Sequence, residues 1–257
     1  MTPLLYFYAG INRLFFSIRQ KKKWQGRKYV EKPIGILSNL TDAQSAIISF
    51  LKEKYAVRFE TFLNETNALR NYHLLYLLDQ VFPPFQGTPP QKNSIERLID
   101  VGSKNFYYAP ALHAFFKPKQ LTGIELDGFH LYRGFYSNAS YAQYYAKSVP
   151  NTDYRAMNFV DFDKPVDGIV WFYPFVMKED VVSWYLPLEM FEPQRLFDHA
   201  REILSKDGFL LMTNTDEVEF ALAEGFMQKA GFSKKGEVVY VGGLLEKKIT
   251  PFVSLWS

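Results

Sequence analysis

Apolar positions recur at three- and four-residue spacing near the amino terminus, and in short unbroken runs from residue 97 onward. Leu4, Phe7, Tyr8, Ile11, Leu14, Phe15 and Ile18 fit one face of an amphipathic helix over 4–19. Leu40-Thr41-Asp42 supplies helix-start chemistry for a second helix near 41–55. Leu69, Tyr72, Leu75, Tyr76 and Leu78 mark a third near 59–81. The stretch Phe82 to Pro90 then places four prolines and a glycine in nine residues, which predicts a linker or stiff loop. The chain is thus expected to divide into a helical amino-terminal segment, 1–90, and a main domain, 91–257.

In the main domain strands and helices alternate. The runs predict strands at 97–101, 121–126, 154–160, 166–173 and 209–213, with Lys206-Asp207-Gly208 as a tight turn into the last. Helices are expected between them, at 106–116, 129–147 and 193–204, and a further one at 217–230 with Gly231 as its cap. Two final strands, 238–242 and 251–256, are separated by too few residues for a crossover helix and should pair as an antiparallel hairpin. The expected fold class is α/β: a doubly wound, mostly parallel seven-stranded sheet with a C-terminal antiparallel hairpin, preceded by the helical segment.

Composition narrows the chemistry. With 257 residues, 47% of them apolar, the chain can bury one good core and a modest extra element. It has no cysteine, which excludes disulfides, zinc–thiolate sites and a cysteine nucleophile. Its four histidines show no metal-ligand spacing, and no metal is expected. A net charge of +3, with no basic stripe in 91–257, gives no strong nucleic-acid signal. Asn12 and Arg13 interrupt the first apolar stretch far short of the roughly 20 residues a membrane span needs. The basic residues follow that stretch, the reverse of a secretory signal, so a cytoplasmic protein is expected. Lys21-Lys22-Lys23, Arg27 and Lys28 leave two readings of residues 4–28: a helix on an anionic membrane surface, or a helix packed on the domain with a solvated basic loop after it.

The candidate site begins with Arg97-Leu98-Ile99-Asp100-Val101-Gly102-Ser103-Lys104-Asn105, an apolar run closed by an acid, a glycine and a polar turn. The next strand again closes on an acid, in Ile124-Glu125-Leu126. Two carboxylates at one edge of a parallel sheet suit a nucleotide-like ligand rich in donors, lying across the strand ends. An NAD site wants Gly-x-Gly-x-x-Gly, whereas this loop has one glycine behind an acid that would repel a pyrophosphate.

With the acids in this order and the closing hairpin, residues 91–257 resemble the class I, Rossmann-like S-adenosylmethionine (SAM)-dependent methyltransferases. The family's acid-x-Gly-x-Gly-x-Gly loop is degenerate here, with Lys104 and Phe106 where later glycines are usual. The resemblance implies SAM as cofactor. It places Asp100 near the methionine ammonium and the backbone of Gly102 and Ser103 against the methionine part; Lys104 either meets the ligand carboxylate as a charge partner or, with Phe106, narrows the pocket. Glu125, followed by Leu126, would hold the ribose hydroxyls. Asp161 would face the adenine amine, with Phe162 against the ring, and Phe172 would complete the cofactor set. It equally admits a relative that keeps the fold as a scaffold without turnover.

Phe172-Tyr173-Pro174-Phe175 lacks the polar residue with which relatives acting on exocyclic or amide nitrogens hold the NH2 group. Tyr173, Phe175, Trp184 and Tyr185, with Asn214 after the fifth strand, are read as lining an acceptor site for a small or lipid-like molecule. His113 and His130, on expected helices, read as structural and His199 as peripheral, while Asp216 and Glu217 stand at the ligand-bearing edge. No general base is assigned.

Overall fold

The computed structural model describes residues 3–82, 95–132, 134–240, 243–245 and 251–257. The expected linker from Pro83 to Pro90 lies outside them. Strands β1 (Arg97–Val101), β2 (Gln120–Glu125), β3 (Thr152–Ala156), β4 (Val166–Phe172), β5 (Leu204–Asn214), β6 (Lys234–Val239) and β7 (Phe252–Trp256) form one sheet in the order β3-β2-β1-β4-β5-β7-β6. β1 to β5 run parallel, and β7 is antiparallel to both β5 and β6. This is the mostly parallel seven-stranded α/β sheet with an antiparallel C-terminal hairpin that the sequence led us to expect. The order reverses at β1, whose neighbours are β2 and β4, so the ligand crevice of such a sheet opens beyond the carboxyl ends of β1, β2 and β4.

Helices α1 (Pro3–Lys22), α2 (Asp42–Tyr55), α3 (Glu65–Val81), α4 (Ala109–Phe116), α5 (Asn138–Lys147), α6 (Lys178–Ser183), α7 (Pro193–Ile203) and α8 (Glu217–Lys229) surround the sheet. Thr41 and Gln44 close a capping box at the start of α2. Asn64 caps α3 by accepting from Asn67 N, which starts that helix later than the periodicity suggests. Leu77, Leu78 and Val81 of α3 share one core with Leu98, Phe106, Leu112 and Leu255. On the other face Ile99, Ile169, Phe197, Met212 and Trp256 pack beneath α7 and α8.

Four expected boundaries need correction, the first being the strand expected at 238–242, which lies at Lys234–Val239. The helix expected over 129–147 begins only at Asn138, because Gly134 and Phe135 take left-handed backbone (φ 86° and 62°) and Ser137 then caps by accepting from Ser140 N. The third strand ends at Ala156, four residues early, since Asn158 opens a 3-10 turn over Phe159–Asp161. Lys206–Gly208 is not a turn into β5 but part of it, in the irregularity where pairing with β4 passes from Leu204 to Phe209.

Candidate functional site

The loop after β1 explains its own sequence pattern. Gly102, Lys104 and Phe106, the three alternate positions at which glycine is expected, all have positive φ, at 71°, 51° and 56°. The backbone therefore keeps a left-handed alternation with a lysine and a phenylalanine at two of its three positions, at about 1–2 kcal/mol of strain for each L residue so placed. The loop is pinned from β2: Gly102 N and Ser103 N both donate to Ile124 O, at 2.9 and 3.0 Å. Phe106 turns its ring down into the core, fully buried beside Tyr108 and Tyr154. A Cβ on Gly123 would stand 3.0 Å from that ring, so the glycine of β2 makes room for it. Phe106 thus fills the core and leaves the ligand edge open. Asn71 of α3 fixes the far end of the loop, donating to Tyr107 O at 2.8 Å and accepting from Ala111 N at 3.0 Å.

Asp100 and Glu125 end neighbouring strands, as expected. Asp100 is fully buried, and neither carboxylate oxygen has a hydrogen-bond partner of good geometry. Burial pushes its pKa well above the carboxylate range; the Tyr108 hydroxyl partly offsets this and the Glu125 charge adds to it. Glu125 receives two amides, Lys104 N on Oε2 and Asp127 N on Oε1, each at 2.8 Å. Burial raises its pKa too, against the pull of those amides. Ser103 Oγ, Asn105 Oδ1 and Thr213 Oγ1 are likewise buried and without partners among the described residues, as are both amide atoms of Asn214, at the end of β5. Most buried polar groups in folded proteins are paired. Five residues with such orphaned atoms cluster at the carboxyl ends of β1 and β5, which makes this edge the candidate site.

Lys104 spans the opening. Its ammonium lies 4.0 Å from the Trp184 ring centroid and 5.8 Å from that of Tyr132. Burial lowers its pKa, with Glu125 opposing. Phe175 packs against Trp184 at 5.9 Å and, with Leu126, joins Phe16 of α1 in one apolar cluster. Tyr173 sits just past β4 with φ 57°, its amide donating to Thr213 O at 2.9 Å. Phe172 packs edge-on to Tyr108 at 5.4 Å.

Some assignments move. Asp161 is exposed at the end of the 3-10 turn, and Phe162 is buried in the core beneath α7, its carbonyl 2.9 Å from His199 Nε2. Neither stands at the strand end. Met157 and Asn158 do, with Met157 N donating to Glu125 O at 3.0 Å. The misplaced strand boundary concealed them. Asp216 caps α8, accepting from Glu219 N at 2.9 Å, and is spent there. His130 lies in the turn region at the mouth rather than on a helix, 5.3 Å from the Tyr185 ring and 3.4 Å from Asp127. Asp127 is a further acid that Glu125-Leu126-Asp127 shows and that the reading of the sequence passes over; it is buried and accepts from Arg19 Nε on Oδ1 and Arg19 Nη2 on Oδ2, at 3.0 and 2.6 Å. A shallow depression of about 530 Å³ beside Lys119, Lys147 and Asp153 lies at the opposite, amino-terminal edge of the sheet and is remote from this site. Among the described residues no group of histidines and acids could hold a metal.

No protein-family model matches the chain, and no curated protein matches it. Among solved structures it is similar to the ribosomal protein L11 methylase of Lactobacillus delbrueckii subsp. bulgaricus (13% identity, TM-score 0.48, 72% of this chain and 76% of that one). It is similar also to a SAM-dependent methyltransferase of Aquifex aeolicus (16%, TM-score 0.47, 70% and 88%). A third is the cyclopropane synthase MmaA2 of Mycobacterium tuberculosis (15%, TM-score 0.45, 64% and 62%). The functional reading therefore rests on the site itself.

Proposed function

We propose that the chain binds SAM at the carboxyl edge of β1, β2 and β4 and transfers its methyl group to a small or lipid-like acceptor. The observation that carries this is the set of orphaned buried polar atoms on Asp100, Ser103 and Asn214, beside the left-handed loop whose backbone a ligand can approach closely. The donor set fits the cofactor: an ammonium, a diol and an adenine amine are all donors, and the groups awaiting them are carboxylates and amide oxygens. Asp100 accepts the ammonium, Glu125 the ribose hydroxyls through the lone pairs its two amides leave free, and Asn158 takes the place first given to Asp161 at the adenine amine. Lys104 meets the ligand carboxylate. When bound, the cofactor supplies an activated methyl, so the protein's task is alignment and exclusion of water. Phe175, Trp184, Tyr173 and Tyr185 give the acceptor side an aromatic wall. Burial raises the Tyr173 phenol pKa, so it stays protonated at neutral pH and serves as a donor or a packing surface rather than a base.

A second reading, a scaffold without turnover, draws on Lys104, whose ammonium is already seated on Trp184 across the opening. Titration calorimetry with SAM and S-adenosylhomocysteine separates the two. Micromolar binding of both, lost in Asp100→Asn and Glu125→Gln, is the expected result; no heat with either ligand would leave the scaffold.

A further inference from the structure

Helix α1 packs on the domain through a narrow face, with Ala9 and Phe16 buried among polar contacts, and leaves its wider apolar face outward. Its inner face carries the polar contacts: Asn12 donates to Val182 O and Leu186 O, Arg19 to Asp127 and Tyr185 O, and Gln20 to Leu126 O. Its outer face is apolar. Phe7, Ile11, Leu14, Phe15 and Ile18 lie within an arc of roughly 100°, and Phe7, Leu14 and Phe15 keep 63, 60 and 55% of their surface exposed. At the carboxyl end of the stripe the exposed Trp24 and Phe135 rings meet at 6.3 Å, among the exposed Lys21, Lys22, Lys23, Arg27 and Lys28. Residues 1–30 contain seven Lys or Arg and no Asp or Glu, while the rest of the chain is net −4. Arg19 is spent on Asp127 and Arg13 on Glu189, leaving the five later cations to face outward with the apolar stripe.

We infer that this face docks on a bilayer with anionic headgroups. Aromatic and aliphatic side chains beside a run of cations match the acyl boundary and the charge of such a surface. Neither another protein's core nor a symmetric second copy would gain from five cations that have no acidic partner among the described residues, one of them, Arg27, lying over the Tyr136 ring. No helix among the described residues is long and apolar enough to cross a membrane, so α1 lies on the surface. Because the same helix holds the turn after β2 and the segment bearing Trp184, docking sets the mouth of the site against the bilayer. Membrane binding needs no cofactor, so it stands or falls separately from the methyltransferase reading.

The test is co-sedimentation of the full chain with vesicles of phosphatidylcholine alone and of phosphatidylcholine mixed with phosphatidylglycerol. Wild type should pellet with the anionic vesicles only. Lys21→Gln/Lys22→Gln/Lys28→Gln should weaken binding roughly 100-fold, at about fivefold per lysine. Phe7→Ser/Phe15→Ser should weaken it roughly 10-fold or more. All five positions are solvent-facing, and unchanged circular dichroism shows each variant folded. Failure of wild type to pellet with anionic vesicles overturns the proposal, as does equal pelleting of wild type and both variants. A wild-type dimer in light scattering that Phe7→Ser/Phe15→Ser converts to monomer would assign the face to a second copy instead.

Discussion

The Lys104 ammonium rests 4.0 Å from the centroid of the Trp184 ring, tying the loop after β1 to the segment after α6. This contact crosses the opening of the site, and it is made by a lysine in left-handed backbone. Under the proposed function this cation would meet the ligand carboxylate; burial lowers its pKa and the Glu125 charge opposes that shift.

Lys104→Met should therefore discriminate between ligands. A charge-assisted pair with the amino-acid carboxylate contributes about 1.5 kcal/mol, roughly tenfold in affinity. We expect S-adenosylhomocysteine to bind about 10-fold more weakly, and 5′-methylthioadenosine, which lacks the carboxylate, to bind as before. Calorimetry with both ligands decides it: equal losses would mean that the lysine only shapes the mouth.

Glu125 separates structure from binding. Its two oxygens accept Lys104 N and Asp127 N, so Glu125→Ala strands two amides. At roughly 1.5 kcal/mol or more each, this should lower stability by about 3 kcal/mol in urea denaturation. Glu125→Gln keeps one acceptor and should cost less than half as much, yet weaken S-adenosylhomocysteine at least about 10-fold by losing the charge. A glutamine variant with unchanged affinity would remove the ribose assignment.

The sheet was legible in the sequence because its central strands β1, β2, β4 and β5 carry closed apolar runs, and the candidate site's first two acids were legible because they stand at the ends of β1 and β2. The end of β3 was not. The apolar residues Phe159, Val160 and Phe162 prolong the pattern of β3, but they belong to a 3-10 turn whose rings fill the core beneath β4. Periodicity records burial, not which element does the burying. The orientation of α1 was hidden for the same reason. A heptad-like apolar stripe predicts a helix face, and here that face points away from the protein while Asn12, Phe16 and Arg19 make the contact.

Phe106 tests what a bulky ring gains at a left-handed position. Phe106→Gly relieves about 1–2 kcal/mol of left-handed strain but empties a fully buried ring site, at about 3–5 kcal/mol. The net expectation is destabilisation of about 2–3 kcal/mol by urea denaturation. Gly123→Ala pushes a methyl against the same ring, and in the Phe106→Leu background that methyl should cost less than in wild type. A strictly additive double mutant would mean that the two residues do not share space.

Asp100 makes apo stability fall with pH. Its folded-state pKa is well above the ordinary value of about 3.8, because burial disfavours the charged form. The folded chain therefore holds this proton more tightly than the unfolded one. Stability is fully present below the unfolded value and is lost progressively as pH rises from there toward the raised folded value. Asp100→Asn removes that loss. The variant's apo Tm should exceed that of wild type at pH 7 by a few degrees and approach it near pH 4. S-adenosylhomocysteine, whose ammonium offsets the buried charge, should raise the Tm of wild type and leave the variant nearly unmoved. Scanning calorimetry at the two pH values, with and without ligand, checks both statements. A folded variant less stable than wild type at pH 7 would show that the Asp100 charge is already compensated in the apo protein.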